Sequence, residues 1–124
     1  FYQFKEAVED YDDFSLIVGT EAIFVGAYDA GADGCVCGIG NIFPEVMRKM
    51  HDEYVAGDHA AALKTQEEIL KIRKIIKQGP TISIMHAILE LRGVDAGWPK
   101  RPYLPVSDEL KAKIADDLKK LNLI

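Results

Sequence analysis

The sequence lacks a basic run and has no stripe rich in Lys or Arg. Its 124 residues carry 15 Lys and Arg against 20 Asp and Glu, which gives a formal charge of −5. Proteins that bind nucleic acid neutralise its phosphates with a basic patch. Nucleic acid is therefore excluded as an expected partner.

Long apolar runs are missing as well. No stretch approaches the roughly 20 apolar residues that a membrane span needs, and no charged and then apolar leader opens the chain. These absences predict a soluble, cytoplasmic protein without a membrane partner. With 48% hydrophobic residues, a chain of this length can bury one modest core.

Cysteine is scarce, with only Cys35 and Cys37. They are two residues apart in a predicted strand, so both side chains face the same way and a disulfide between them would be strained. Adding His51, His59 and His86 produces no zinc-ligand spacing. The expectation is two buried thiols that act as small apolar groups, with no metal and no cofactor.

The first third of the chain predicts a strand, a helix and a second strand. Residues 14–19 and 34–39 are short apolar runs of the kind found in strands buried on both faces. A helix between them would start at Thr20 or Glu21 and close at Gly31. This order predicts a parallel crossover, and hence an α/β fold whose sheet continues beyond these two strands.

From Pro44 onward the pattern is helical. Gly57 ends the first of these helices and Asp58 caps the next, which continues to the Gly-Pro pair at 79–80. A third helix precedes Gly93, and residues 98–105 form a proline-rich connector. Ser107 caps the last helix. The predicted apolar stripe of the second helix is Ala60, Leu63, Ile69, Leu70, Ile72 and Ile76.

Four short blocks, in order and correctly spaced, resemble one family. They are Gly-Thr-Glu-Ala at 19–22, Ala-Gly-Ala-Asp-Gly at 30–34, Asn-Ile-Phe-Pro at 41–44 and Arg-Pro-Tyr-Leu-Pro-Val-Ser at 101–107. Similar blocks occur in the class I aldolases of the dihydrodipicolinate synthase and N-acetylneuraminate lyase family. That resemblance implies a (β/α)8 TIM barrel as the parent fold.

The resemblance also implies which part of the barrel is present. Residues 1–56 match the last helix-strand-helix-strand-helix part of the barrel, and residues 57–124 match its carboxy-terminal helical extension. The lysine that forms a Schiff base in the family would lie upstream of Phe1. Because Phe1 is not a methionine and a helical pattern begins at once, we expect the chain to be cut from a longer one that holds the missing barrel half.

Barrel enzymes build their sites at the carboxyl ends of the strands. By the resemblance, Gly19 and Glu21 follow the seventh strand, and Val36, Cys37 and Gly38 border the imine after the eighth. Simpler roles remain open for three of them: Glu21 as a first-turn acid that favours a helix dipole, Gly19 as a tight turn, and Cys37 as a buried strand residue.

Two further patterns have simpler explanations. Gly38 and Gly40 fit a dinucleotide motif poorly, because its third glycine is missing. The lysines between 64 and 77 are typical of a solvated helix face.

The implied activity joins or splits a 2-keto acid, usually pyruvate, and an aldehyde through an imine, in a homodimer or homotetramer. Two alternatives stay open: an inactive or regulatory truncated member of the family, and a helical oligomerisation or binding module. The buried parallel strands favour the enzyme, because a helical adaptor has no use for them.

Overall fold

The computed structural model describes all residues from Phe1 to Ile124. Two strands, β1 (Ile17–Val18) and β2 (Gly34–Cys35), accompany seven α-helices. The helices are α1 (Tyr2–Ala7), α2 (Phe24–Asp29), α3 (Ile39–Ile42), α4 (Pro44–Val55), α5 (His59–Ile76), α6 (Thr81–Leu91) and α7 (Asp108–Lys120). A 3-10 turn, Glu21–Ile23, leads into α2. None of the helices combines the length and the apolar character that crossing a membrane requires.

The chain divides into two compact units, Phe1–Leu70 and Lys71–Ile124, and the division falls inside α5. The boundary predicted between residues 56 and 57 concerns the parent barrel, and it stays a prediction.

The parallel crossover is confirmed. Strands β1 and β2 pair in parallel, with Ile17 opposite Gly34 and Val18 opposite Cys35, and α2 lies between them in sequence. Both strands are shorter than predicted, with two residues each in place of residues 14–19 and 34–39. Each strand has only one neighbour, so the other edge of each strand is unpaired. Ile39 was wrongly assigned to a strand, since it begins α3.

A small apolar cluster covers one face of the strand pair in the first unit. Val18, Ala27 and Ala32 are its buried members, and Tyr28 and Cys35 pack against it. Further along the unit, α3 and α4 pack against each other, with fully buried apolar residues at Ile39, Ile42, Phe43 and Met50.

The predicted helix ends depend on local chemistry and are confirmed. Gly57 adopts a positive φ of 79°, which a residue with a side chain rarely takes, and α4 ends just before it. The Asp58 carboxylate then accepts a hydrogen bond from the Ala61 N–H at 3.0 Å, at the start of α5. Ser107 Oγ accepts from the Leu110 N–H at 3.2 Å at the start of α7.

The buried face of α5 differs from the predicted stripe. Leu63 and Leu70 are exposed, whereas Thr65 and Gln66 are buried. Thr65 can be buried because its hydroxyl donates to Glu53 Oε2 at 2.6 Å. Gln66 makes two hydrogen bonds to the backbone, and a polar group with its partners in place costs little to bury. The lysines of α5 are exposed, as predicted.

The second unit contains α6 and α7, which pack against each other. Its buried apolar residues are Ile72, Ile75, Ile76, Ile84, Ala87, Ile88, Ile114 and Leu118. Two polar contacts supplement this core: Gln78 Nε2 donates to Asp117 Oδ2 at 2.9 Å, and Lys111 pairs with Glu90. The predicted connector, residues 98–105, is confirmed, and it lies within a longer segment, residues 92–107, that contains no helix or strand.

Candidate functional site

The five predicted site residues follow the carboxyl ends of the two strands. Because β1 and β2 are parallel, both ends lie at the same edge of the sheet. Gly19 comes directly after β1, and Val36 comes directly after β2. The Val36 N–H donates to the Val18 carbonyl at 3.0 Å, which holds the two ends together beyond the ladder.

The strand pair has one covered and one open face, and the predicted residues divide between them. On the open face, Ile17 is 52% exposed and Val36 is 73% exposed. On the covered face, Val18 is 8% exposed and Cys35 packs against the cluster of Val18, Ala27 and Ala32. Alternation along a strand explains the difference, since successive side chains point to opposite faces.

Cys37 belongs to the covered side with Cys35. A Cβ added at Gly40 would lie 3.6 Å from the Cys37 sulfur, so that sulfur sits over the first turn of α3. Val36 and Cys37 are adjacent in sequence and border the same pocket, and their contact with an imine stays a prediction. Gly19 is exposed, and a Cβ there would meet nothing within 4 Å.

Glu21 is the first residue of the 3-10 turn and is 3% exposed. The turn is fixed at both ends. Thr20 Oγ1 accepts from the Ala22 N–H at 3.2 Å. The Gln66 side chain donates to the Glu21 carbonyl at 2.8 Å and accepts from the Val25 N–H at 3.2 Å. The buried acid therefore stands on a rigid backbone, as a positioned functional group requires.

The electrostatics of the strand ends converge on Cys35. Burial first, and then the nearby Cys37 sulfur and Glu21 carboxylate, together raise the pKa of the Cys35 thiol to about 12. A thiol reacts as its thiolate, so Cys35 is a poor nucleophile near neutral pH. Both thiols were predicted to be buried in a strand, but both are half-buried, and Cys37 follows the end of β2.

Sequence patterns did not indicate two polar side chains beside the strand ends. The Tyr28 hydroxyl and His51 Nδ1 are 3.1 Å apart, and they join α2 to α4. Burial raises the pKa of Tyr28, with Cys35 and Asp33 adding to the effect. No motif links positions 28 and 51. Only the crossover, which places neighbouring helices on one side of the sheet, could have suggested the contact.

A pocket with a volume of about 500 Å³ opens at this place. It is bordered by Tyr28, His51, Cys35, Val36 and Cys37. No group of three His, Cys, Asp or Glu side chains is arranged to hold a metal ion. The arrangement offers hydroxyl, imidazole and thiol groups to a small polar ligand.

The lysines do not share this pocket. All of them are exposed except Lys111, which is half-buried and paired with Glu90. A lysine that forms imines is activated by desolvation or by a neighbouring cation. None of the chain's lysines is buried, so none is desolvated in this way.

The second unit has a pocket of its own, with a volume of about 380 Å³. His86, Glu90 and Trp98 line it, and His86 Nδ1 is 3.0 Å from the Gly97 carbonyl. None of the predicted site residues lies there.

Known proteins resemble this chain along nearly its whole length. The model of the dihydrodipicolinate synthetase family matches residues 1–121. An uncharacterized DapA-like lyase of Halobacterium salinarum is 29% identical over 119 residues, which is 96% of this chain and 39% of that protein. A 4-hydroxy-tetrahydrodipicolinate synthase of Methanosarcina barkeri is 32% identical over 114 residues, which is 91% of this chain and 39% of the synthase.

The fold is shared with a solved structure of a related enzyme. Dihydrodipicolinate synthase from Bacteroides thetaiotaomicron superposes with a TM-score of 0.84 at 26% identity, over 94% of this chain and 41% of that one. The structural relatives are TIM barrels, so the predicted parent fold is confirmed. The chain thus spans about two fifths of the length of the relatives it matches, and it belongs to the dihydrodipicolinate synthetase family.

Proposed function

We propose that the chain is the carboxy-terminal part of a Schiff-base aldolase, lyase or synthase that acts on a 2-keto acid such as pyruvate and on an aldehyde. The observation that carries the proposal is the family match over residues 1–121, together with relatives that bear lyase and synthase names. In such chemistry the imine turns the keto carbon into an electron sink. The neighbouring carbon can then lose a proton or an aldehyde.

In this proposal, residues 1–56 supply the last part of the barrel and residues 57–124 supply its helical extension. Gly19 and Glu21 border the substrate after β1, and Val36, Cys37 and Gly38 border it after β2. The exposed faces of Ile17 and Val36 support this assignment, since the inner side chains of a barrel sheet need partners from other strands. The parent is proposed to be a homodimer or homotetramer.

The imine lysine is proposed to lie outside these 124 residues. The exposure of every lysine but the ion-paired Lys111 supports this, because imine chemistry needs a desolvated or otherwise activated amine. We therefore expect the chain by itself to be inactive.

Trapping with borohydride and pyruvate tests this expectation. Reduction fixes an imine as a stable pyruvyl adduct that intact mass detects, and we expect none on this chain. A dihydrodipicolinate synthase relative treated in parallel should be labelled, which shows that the reagents work. A stoichiometric adduct on the chain would place the catalytic lysine inside it and contradict the proposal.

Glu21→Gln tests the role of the buried acid in the whole protein. We propose that Glu21 faces the aldehyde end of the substrate, so the change should alter aldehyde selectivity more than imine formation. Losing a hydrogen bond to a charged group costs about 1.5 to 3 kcal/mol in the discriminated step. Trapping rate with pyruvate and turnover with two aldehydes are the measurements. Equal losses in both would leave Glu21 with a structural role only.

A further inference from the structure

Three cavities in the second unit share two of their lining residues, His86 and Trp98. The first has a volume of about 380 Å³ and is bordered by α6 and residues 93–98. The second, of about 210 Å³, reaches the start of α7. The third, of about 430 Å³, extends along the proline-rich connector. A ligand in any of these cavities would therefore lie beside the indole of Trp98.

The backbone on both sides of Trp98 is held in place. His86 Nδ1 is 3.0 Å from the Gly97 carbonyl, and because a carbonyl only accepts, Nδ1 is the donor. The Gly97 N–H donates to Asp95 Oδ1 at 3.1 Å. On the other side of the indole, Pro99 is buried. These contacts fix the segment that carries Trp98 to helix α6.

The indole itself is 78% exposed. A large aromatic side chain gains most of its stabilising energy from being covered, and the packing of the chain leaves this one uncovered. Because its backbone is already fixed, a ligand that covers the ring does not have to order the loop first. Trp98 therefore offers a flat apolar surface in a position prepared for binding.

The third cavity is also positively charged. Lys100 and Arg101 line it together with Tyr103, and no Asp or Glu is among its lining residues. Neither Lys100 nor Arg101 forms an ion pair. A chain with a formal charge of −5 thus presents two unpaired cations beside the indole. An anion would gain charge-assisted hydrogen bonds there.

We propose that the third cavity is a binding site for a phosphate monoester that carries a planar ring. Such a phosphate has a charge of about −1.5 to −2 at neutral pH, which matches two cations better than a single carboxylate does. The Arg101 guanidinium binds two phosphate oxygens, Lys100 adds a second positive charge, and the ring packs on the Trp98 indole.

The size of the cavity fits a ligand of this class. Small-molecule sites occupy about 300 to 1,000 Å³, and the third cavity has about 430 Å³. None of the residues proposed to border the 2-keto acid lines it. The inference therefore goes beyond the proposed aldolase activity and does not depend on it.

Fluorescence titration with phenyl phosphate is the first test. Trp98 is the chain's only tryptophan, so its emission reports on this place alone. Phenyl phosphate should give a saturable change in emission. Phenol, which has the ring without the charge, and inorganic phosphate, which has the charge without the ring, should bind about tenfold more weakly or worse. A change that does not saturate, or equal binding of phenol, would overturn the proposal.

Two alanine variants test the cations. Lys100→Ala and Arg101→Ala should each weaken phenyl phosphate binding about tenfold, and they should leave the circular dichroism spectrum unchanged because both side chains are exposed. Lys119→Ala removes an exposed lysine of α7 that borders none of the three cavities, so it is the matched control and should bind normally. Equal weakening in all three variants would indicate a general charge effect and would overturn the site.

Trp98→Ala tests the contact with the ring. Because this variant loses the fluorescent reporter, binding is followed by the line width of the phosphorus NMR signal of the ligand. The broadening of phenyl phosphate should fall to the level seen with inorganic phosphate, and inorganic phosphate should be unaffected. Undiminished broadening of phenyl phosphate would show that its ring does not rest on Trp98 and would overturn the proposal.

Discussion

The strand region of the first unit and the helix pair of the second unit differ in how they bury their apolar residues. In Lys71–Ile124, helices α6 and α7 bury Ile84, Ile88, Ile114 and Leu118 completely. In Phe1–Leu70, the first strand and the segments around it leave large apolar side chains exposed, namely Tyr2, Phe4, Tyr11, Phe14, Ile17, Ile23 and Val36. A helix pairs its backbone groups internally and needs one covered stripe, whereas a strand needs neighbours at both edges and cover on its faces.

This difference separates the apolar surfaces that the chain covers with its own helices from the strand face that it leaves uncovered. The helix pair α6 and α7 buries Ile84, Ile88, Ile114 and Leu118 within the second unit. The strand pair closes only the face that α2 covers, and the face of Ile17 and Val36 stays open. In the barrel relatives, further strands provide this cover. The open face is therefore the part of the chain most sensitive to what surrounds it.

The largest expected contrast is in stability. Ile88→Ala removes a fully buried side chain and should lower the free energy of unfolding by about 2 to 5 kcal/mol. Val36→Ala removes an exposed side chain of similar character and should change it by about 0.5 kcal/mol or less. Urea unfolding followed by circular dichroism measures both. Equal losses would show that the open face is covered in solution.

The next contrast concerns association. The open face is a sticky apolar surface, so we expect the chain to self-associate and to bind a dye that reports exposed apolar groups. A double variant, Ile17→Ser with Val36→Ser, should reduce both dye fluorescence and sedimentation coefficient. Val55→Ser, at an exposed position at the end of α4, is the matched control and should change neither. If the unsubstituted chain is a monomer that binds no dye, the open face of Ile17 and Val36 does not drive association.

The smallest effect concerns the pH dependence of the helical unit. Hydrogen bonds from Gln78 and then Lys120 hold the pKa of Asp117 below its ordinary value. A pKa lowered by folding stabilises the protein above the unfolded value, about 3.9, and this contribution is lost as the pH falls through the lower folded value. Asp117→Asn should therefore flatten the loss of stability below about pH 4. Asp116→Asn, on the same helix, is the control and should keep the slope.

Local signals predicted the helical part of the fold well. Asp58 and Ser107 cap the helices that their positions indicated, because a cap is decided by residues within one turn. The end of α4 at Gly57 was likewise predictable, since a positive φ is easily adopted by a residue without a side chain. Strand length was not, because a ladder extends only as far as a distant partner allows.

The candidate site shows the same limit. The common edge of Gly19 and Val36 follows from the parallel crossover, which the sequence predicted. The contact of Tyr28 with His51 does not, because it depends on how α2 and α4 pack. Leu63 was predicted to be buried but is exposed, whereas Gln66 is buried. A distant turn offers Gln66 two backbone partners, and no pattern inside α5 reveals them.

Gln66 makes the placement of Glu21 depend on helical phase. Its side-chain amide makes two hydrogen bonds to the backbone around Glu21. Gln66 lies seven residues after His59, the first residue of α5. Each residue of a helix advances the side-chain direction by about 100°, so one residue inserted or deleted between His59 and Gln66 would swing the amide off the turn. Length changes should be tolerated in the loop before α5, where they leave this phase intact, and rejected within its first two turns. The number of residues from His59 to Gln66 thus determines where the Gln66 amide holds Glu21 after the end of β1.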